Sequence, residues 1–333
     1  MNVLLLLPVI VAFLITFLVL PFWIKRAFRF GLVGKDMNKY NKPKVAEAGG
    51  IGAMAGFLLG VLFYVALKTI LFNSRSNLIE IFALTTSILM LAWVGVIDGF
   101  LGWRIGLSKK SRIILCLFAA IPLIVINAGH SIIDVPFLGI INLGLLYPLI
   151  FVPLGIVATS TTFNFLAGFN GLEAGQGIII IGGLSLVAYI TGSSWLALIG
   201  LCMVFALLAF LNFNWFPARV LPGDVLTYPV GGLIAIMAIL GNFEKIAIFF
   251  FIPYIIEVVL KLRGRLIKQS FGKPNKDGSL DLAYNKIYSL NHVAILILKK
   301  WKKKAYEKEV VYLIWIFQMI IIVLGFLIFF GGG

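Results

Sequence analysis

Of the 13 acidic residues in this 333-residue chain, Asp36, Glu47, Asp98, Glu173 and Asp224 stand at or just inside the ends of long apolar runs, all on the same side of the alternation those runs impose. A carboxylate there is costly unless a cation or a hydrogen-bond donor compensates it. Any one of them could be an interfacial anchor or half of a salt bridge, but their convergence on one face implies a site that holds a cation. Two stretches sharpen the point. Residues 164–176 read Asn-Phe-Leu-Ala-Gly-Phe-Asn-Gly-Leu-Glu-Ala-Gly-Gln, oxygen-bearing side chains spaced by glycines, so that backbone and carboxamide oxygens can approach a ligand or a hard metal. Residues 214–224 read Asn-Trp-Phe-Pro-Ala-Arg-Val-Leu-Pro-Gly-Asp and set Asp224 at the start of an apolar run. An aspartate there can be a helix cap. With Asn164 opposite, it can equally hold Mg2+, which prefers one or two carboxylates plus phosphate oxygens and retained water.

The elements that must position these residues belong to a bilayer. The chain is 61% hydrophobic and only 12% charged, where soluble domains carry about a quarter charged residues. Apolar runs long enough to cross about 30 Å of hydrocarbon recur near 3–24, 48–71, 78–97, 113–128, 146–163, 171–190, 195–213, 224–241, 246–262 and 309–330. The expected fold is an all-α integral membrane protein of about ten transmembrane helices, residues 1–333 forming a single membrane-embedded domain. The first run lacks a basic region before it and a small-residue cleavage site after it, so it reads as a retained span rather than a signal peptide. Placing the N- and C-termini outside leaves only Lys68, Arg75 and Lys245 of the 28 Lys and Arg on the outer side, which satisfies the positive-inside rule. The acidic face is then cytoplasmic, and residues 263–308 form a large basic cytoplasmic loop.

The net charge of +15 follows from that topology, and it also attracts membrane lipids with anionic head groups and anionic substrates. No base-stacking or groove-reading motif accompanies the lysines, so nucleic acid is not an expected partner. No G-x-x-x-x-G-K-S/T phosphate loop occurs. Cys116, Cys202, His130 and His292 stand singly, as buried small hydrophobes and as solvated or core histidines. Residues 135–144 suit a short external β-hairpin, and residues 284–301 a cytoplasmic interfacial helix. Gly52, Gly56 and Gly60 form a face for close helix packing within the chain.

The stretches 164–176 and 214–224 resemble the signature loops of the polyprenyl-phosphate N-acetylhexosamine-1-phosphate transferases, closest to the eukaryotic and archaeal dolichyl-phosphate N-acetylglucosamine-1-phosphate transferase branch of glycosyltransferase family 4. The likeness runs from about residue 20 to 330. It implies that a UDP-sugar and a polyprenyl or dolichyl phosphate are the substrates, with Mg2+, or Mn2+ in its place, ligated by Asp224 and Asn164. It implies further that Asn170 and Glu173 line the nucleotide pocket, that Glu47 stands beside the active site, and that Asp36 and Asn38 belong to a loop on the same face. The product would be a lipid diphosphate sugar, with UMP leaving and Asp98 orienting the lipid phosphate or accepting its last proton.

This sequence departs from the family twice. A pair of aspartates usual after the third span is here Asp98-Gly99, so Asp98 must serve alone. The last loop, whose histidine and arginines contact diphosphate in the family, reads Lys268-Gln-Ser-Phe-Gly-Lys273 here, which leaves Lys268, Lys273, Arg263 and Arg265 as substitutes. A phosphate-contacting lysine after the aspartates has several rivals for its position, among them Lys110 and Arg112. A secondary transporter or lipid-carrier flippase would be expected to show an internal repeat and mid-membrane charges, and neither is visible. A related transferase using another UDP-N-acetylhexosamine, and an inactive scaffold, are the other rivals; oligomeric state, a homo-oligomer included, is open.

Overall fold

The computed structural model describes residues 3–135 and 139–331. In chain order its helices are α1 (Leu7–Phe30), α2 (Gly50–Ala66), α3 (Leu78–Ile105), α4 (Lys109–Phe118), α5 (Ile121–Val125), α6 (Val152–Phe163), α7 (Leu172–Ile190), α8 (Ser194–Asn214), α9 (Asp224–Gly241), α10 (Glu244–Phe250), α11 (Ile252–Arg263), α12 (Leu290–Lys302) and α13 (Glu307–Phe330). Three two-stranded antiparallel sheets join them: β1 (Val33–Lys35) with β2 (Lys44–Ala46), β3 (Ile132–Val135) with β4 (Gly139–Asn142), and β5 (Lys273–Pro274) with β6 (Leu280–Asp281). Among the described residues, seven helical stretches are long and apolar enough to cross a membrane: Leu4–Phe30, Gly50–Leu71, Leu78–Gly99, Leu172–Ile190, Ser194–Asn214, Asp224–Gly241 and Glu307–Phe330. The protein is thus a helical integral membrane protein.

The three remaining apolar runs are built differently from expectation. Run 113–128 breaks into α4 and α5, with Pro122 in the first turn of α5, and run 246–262 breaks into α10 and α11, with Pro253 in the first turn of α11. A proline removes an N–H and clashes with the preceding turn, so each run restarts there as a new helix. Run 146–163 is a wide turn over Tyr147–Phe151 continued by α6. Helix α3 outlasts its apolar run and ends only at Gly106, which leaves Asp98 inside a helix rather than in the loop after it.

Helix α9 is the axis of the bundle, packed by α3 on one side and α6 on another, with α2, α7 and α8 also against it and α1 covering α2 and α8. Glycines let the backbones close. Gly56 of α2 lies so near α1 that a Cβ would stand 2.0 Å from Thr16 Oγ1 and 2.4 Å from the Ala12 carbonyl, so the Gly52/Gly56/Gly60 face packs within the chain. The hairpin expected at 135–144 is present as β3 and β4, its turn lying outside the described residues. The helix expected over 284–301 starts later, at Leu290, where the Ser289 side chain accepts from Asn291 N at 3.2 Å and fixes the start of α12.

Candidate active site

The end of the bundle at Asp224 collects the last turns of α3, α6 and α8 and the first turns of α4, α7, α9 and α13. Asp224 is the first residue of α9, behind Gly223 at φ +67°. Chain 214–223 reaches that point by lying along β2: Val220 bridges Ala46, Leu221 N donates to Ala46 O (2.8 Å), and Gly49 N and Gly50 N donate to Leu221 O and Pro222 O (2.9 and 3.0 Å). From the other side α3 touches α9 at Gly95, where a Cβ would stand 2.3 Å from Val225 N and 2.5 Å from Asp224 O. One turn further on the same face of α3 is Asp98, whose carboxyl group is a close electrostatic neighbour of that of Asp224.

Around this carboxyl pair, Asn164 at the end of α6 donates from Nδ2 to Asp224 Oδ1 (2.8 Å), and Tyr228, one turn into α9, stands beside Asp224. Asp98 accepts from Leu107 N (2.7 Å) and pairs with Arg112 of α4 (2.8 Å). Two carboxyl groups in contact must share a proton or a cation. The Nε of Arg112 and the Oγ1 of Thr227 are buried without partners among the described residues, and such groups are rarely left so unless something else completes them. Among the described residues no three His, Cys, Asp or Glu converge as a metal cage. A cation here would draw on Asp98, Asp224 and Asn164 together with ligand oxygens and water, a donor set that fits Mg2+.

A second group of expected site residues lies behind the loop 164–171 and is engaged with the protein. Asp36 accepts from Asn170 Nδ2 (2.9 Å) and pairs with Lys39 (3.2 Å); Asn38 donates to Gly168 O (2.7 Å) and accepts from Gly272 N (3.1 Å). Glu173 accepts from Gly168 N (2.8 Å), its second oxygen buried without a partner among the described residues. Glu307, at the start of α13, completes this clasp by accepting from Asn170 N (2.8 Å) and from Lys39. Lys39 also stacks over Phe216 of the 214–223 loop at 4.1 Å. Three more side chains hold the same loop: Ser270 donates to Phe165 O (3.2 Å), Asn291 to Ala167 O (3.2 Å), and Asn214 accepts from Gly171 N (3.0 Å).

Glu47 is half-buried beside Gly34, makes no side-chain hydrogen bond among the described residues, and is held above its ordinary carboxyl pKa by loss of solvent. Its carboxylate is free to meet a donor. The basic candidates are scattered. Lys110, Arg263, Arg265, Lys268 and Lys273 are exposed, Lys268 lying over the Tyr284 ring at 4.9 Å, and only Arg112 reaches the carboxyl pair. Reasoning from sequence passed over Lys39, Tyr228 and Glu307. Glu307 stands at an apolar run's end on the acidic face, the same signal that singled out Glu173.

A large apolar cavity of about 1130 Å3 runs beside α6, α9 and α10, from Thr162, two residues before Asn164, to Asn242 and Glu244 at the opposite face. Its lining includes Gly155, Ala158 and Ile255, and along α6 it reaches Thr162, near the end of the helix that carries Asn164.

Residues 81–242 match the family model described as glycosyl transferase family 4. A Saccharolobus solfataricus protein, provisionally named a UDP-N-acetylglucosamine–dolichyl-phosphate N-acetylglucosaminephosphotransferase, is 39% identical over 96% of both chains. The enzyme of that name from Dictyostelium discoideum is 30% identical over 73% of this chain and 68% of its own, and the phospho-N-acetylmuramoyl-pentapeptide-transferase of Staphylococcus saprophyticus is 27% identical over 75% and 80%. Asp98, Asn164, Glu173 and Asp224 all lie inside the matched region, and with an archaeal relative aligned along nearly its whole length, this chain belongs to glycosyl transferase family 4.

Proposed function

We propose that the protein transfers N-acetylglucosamine 1-phosphate from UDP-N-acetylglucosamine to a dolichyl or polyprenyl phosphate. An oxygen of the lipid phosphate bonds to the phosphorus that carries the sugar, the bond from that phosphorus to UMP breaks, and the lipid diphosphate sugar and UMP are the products. The observation that carries this reading is the meeting of Asp224, Asp98, Asn164 and Arg112 at one end of the bundle, with an apolar trough along α6 that reaches within two residues of Asn164. A polar site for two phosphate groups and a seat for a polyprenyl chain are what such a reaction needs in one place. The names borne by the relatives agree with it.

Asp224 and Asn164 would hold Mg2+, which would supply positive charge against the sugar nucleotide's diphosphate. The lipid phosphate is already ionised near neutral pH, so charge neutralisation and alignment matter more than a strong base. Arg112 holds Asp98 toward Asp224 and offers its free Nε to a phosphate oxygen; Asp98 orients the incoming lipid phosphate; Glu47 meets donors of the nucleotide. The positive-inside rule supports a cytoplasmic active face with both termini outside and ten crossings, the broken runs α4–α5 and α10–α11 and the shorter α6 supplying three of them.

Purified protein given radiolabelled UDP-N-acetylglucosamine and a polyprenyl phosphate should move label into the lipid phase only with Mg2+ and intact Asp224. Asp98→Asn should slow turnover while leaving nucleotide affinity nearly intact. Label transfer by Asp224→Asn at the normal rate, or none by the native protein with any UDP-N-acetylhexosamine, overturns the reading.

A further inference from the structure

Lys299, Lys300, Lys302, Lys303 and Lys304 crowd the end of α12, and three residues later α13 begins its crossing. The hairpin β5–β6 stands at the same point: Leu280 N donates to Ala305 O (2.8 Å) and Ser279 bridges Tyr306. Between hairpin and helix end lies a polar cavity of about 420 Å3 whose lining includes Asn275, Lys276, Ser279 and Lys303. The acids nearby are spent. Asp277 pairs with Lys304 (2.7 Å), Asp281 with Lys299, and Glu309 with Lys302 (2.9 Å). Lys276, Lys300 and Lys303 have no acidic partner among the described residues, and Lys303, at φ +65°, turns the chain out of α12 at the cavity's rim.

Beside these lysines the outer face of α12 is apolar and uncovered. Ile297 is 49% exposed and Trp301, one turn on, 78%. A helix with tryptophan and aliphatic side chains on one face and lysines beside them lies in the head-group layer, and four to eight basic residues next to a crossing helix attract anionic lipids.

We propose that this foot of α13 is a binding site for anionic lipid head groups, separate from the Asp224 site, with the lipid phosphate received by Lys276, Lys300 and Lys303 and the glycerol and upper acyl region by Ile297 and Trp301. A free phosphate would use the lysines but leave the exposed tryptophan without a role. The assignment rests on charge and apolar exposure at the membrane border and is independent of the transfer reaction.

The test is fluorescence of the full-length protein in phosphatidylcholine bilayers, the Trp301 signal being the difference between native protein and Trp301→Phe. Brominated phosphatidylglycerol should quench that signal at a several-fold lower mole fraction than brominated phosphatidylcholine. Removing the three lysines together (Lys276→Gln, Lys300→Gln, Lys303→Gln) should erase the preference, each being worth roughly fivefold at an anionic surface. Equal quenching by the two lipids, or a preference that survives the triple change, overturns the proposal. Loss of the preference in ~10 mM inorganic phosphate at constant ionic strength would assign the site to free phosphate instead and overturn it as well. The readout needs no turnover, so an inactive transferase would not be mistaken for an absent lipid site.

Discussion

Gly95→Ala places one methyl group where α3 meets α9. The atoms it meets are backbone, Val225 N at 2.3 Å, Asp224 C at 2.4 Å and Asp224 O at 2.5 Å, so no side chain can swing aside. Carbon contacts are comfortable near ~3.5 Å, and the helices must therefore part by about 1 Å at the residue that carries the site. Asp98 rides on α3 and Asn164 on α6, so the Asp98–Asp224 contact stretches by most of that distance and the 2.8 Å bond from Asn164 is pulled askew. Overpacking of this kind costs about 1–3 kcal/mol of stability, while a displacement of about 1 Å in a reacting constellation can cost ~100-fold in rate. The assay is lipid-phase label transfer beside a thermal melt, with Gly182→Ala as control, since nothing lies within 4 Å of a Cβ there. The expected result is a folded protein slowed by about two orders of magnitude, with the control unchanged. Native-rate transfer by folded Gly95→Ala would show that the register of α3 against α9 does not set the site.

Lys39→Met should destabilise the protein by about 3 kcal/mol, because Glu307 is left buried without its cation; adding Glu307→Gln should recover most of that in a thermal melt, since the amide oxygen still accepts from Asn170 N. Gly155→Phe fills the trough at a glycine with open space around it, and should raise KM for the polyprenyl phosphate about tenfold or more while sparing KM for the UDP-sugar, the loss expected when an apolar chain is excluded from its groove. Buried His292 accepts from Tyr288 N at Nδ1 (3.2 Å), which leaves Nε2 to donate to Phe271 O (3.2 Å), and burial lowers its pKa below the ordinary histidine value. The unfolded chain then binds the proton more readily. Stability is full above about pH 6.5 and falls as the pH drops through the folded-state value; melts of His292→Gln should lack that acid limb.

Where hydropathy is continuous, sequence and structure agree on the helices, because a crossing helix must satisfy its own backbone and so announces itself by length. The disagreements fall where one residue outweighs an average. Pro122 and Pro253 break runs that a sliding window treats as whole, and α3 runs past its apolar stretch to Ile105. The contacts that hold the loop 164–171 were illegible for another reason. Asn38 to Gly168, Asn170 to Glu307 and Ser270 to Phe165 each join residues more than a hundred positions apart, and no local period encodes such pairs.

That separation explains why expected ligand residues divide into two groups. The loop 164–171 leaves the helical register at the border of the hydrocarbon, so its N–H and C=O groups need partners that neither helix supplies. Asn38, Ser270, Asn291, Asn214, Glu173 and Glu307 meet that need. Polar side chains at this face thus answer two demands, holding the loop or meeting the substrate, and residue type alone does not tell them apart. Asp224, Asp98, Asn164 and Arg112 face one another with buried polar capacity left over, whereas Asp36, Asn38 and Asn170 are occupied by the chain itself. The loop that Asn164 opens is held from both flanks, by the 34–47 hairpin and by residues 270–307. The long basic segment is therefore a wall of the site as much as a surface of charge, and changes at Ser270 or Asn291 should act on turnover through Asn164 although neither side chain touches the carboxyl pair.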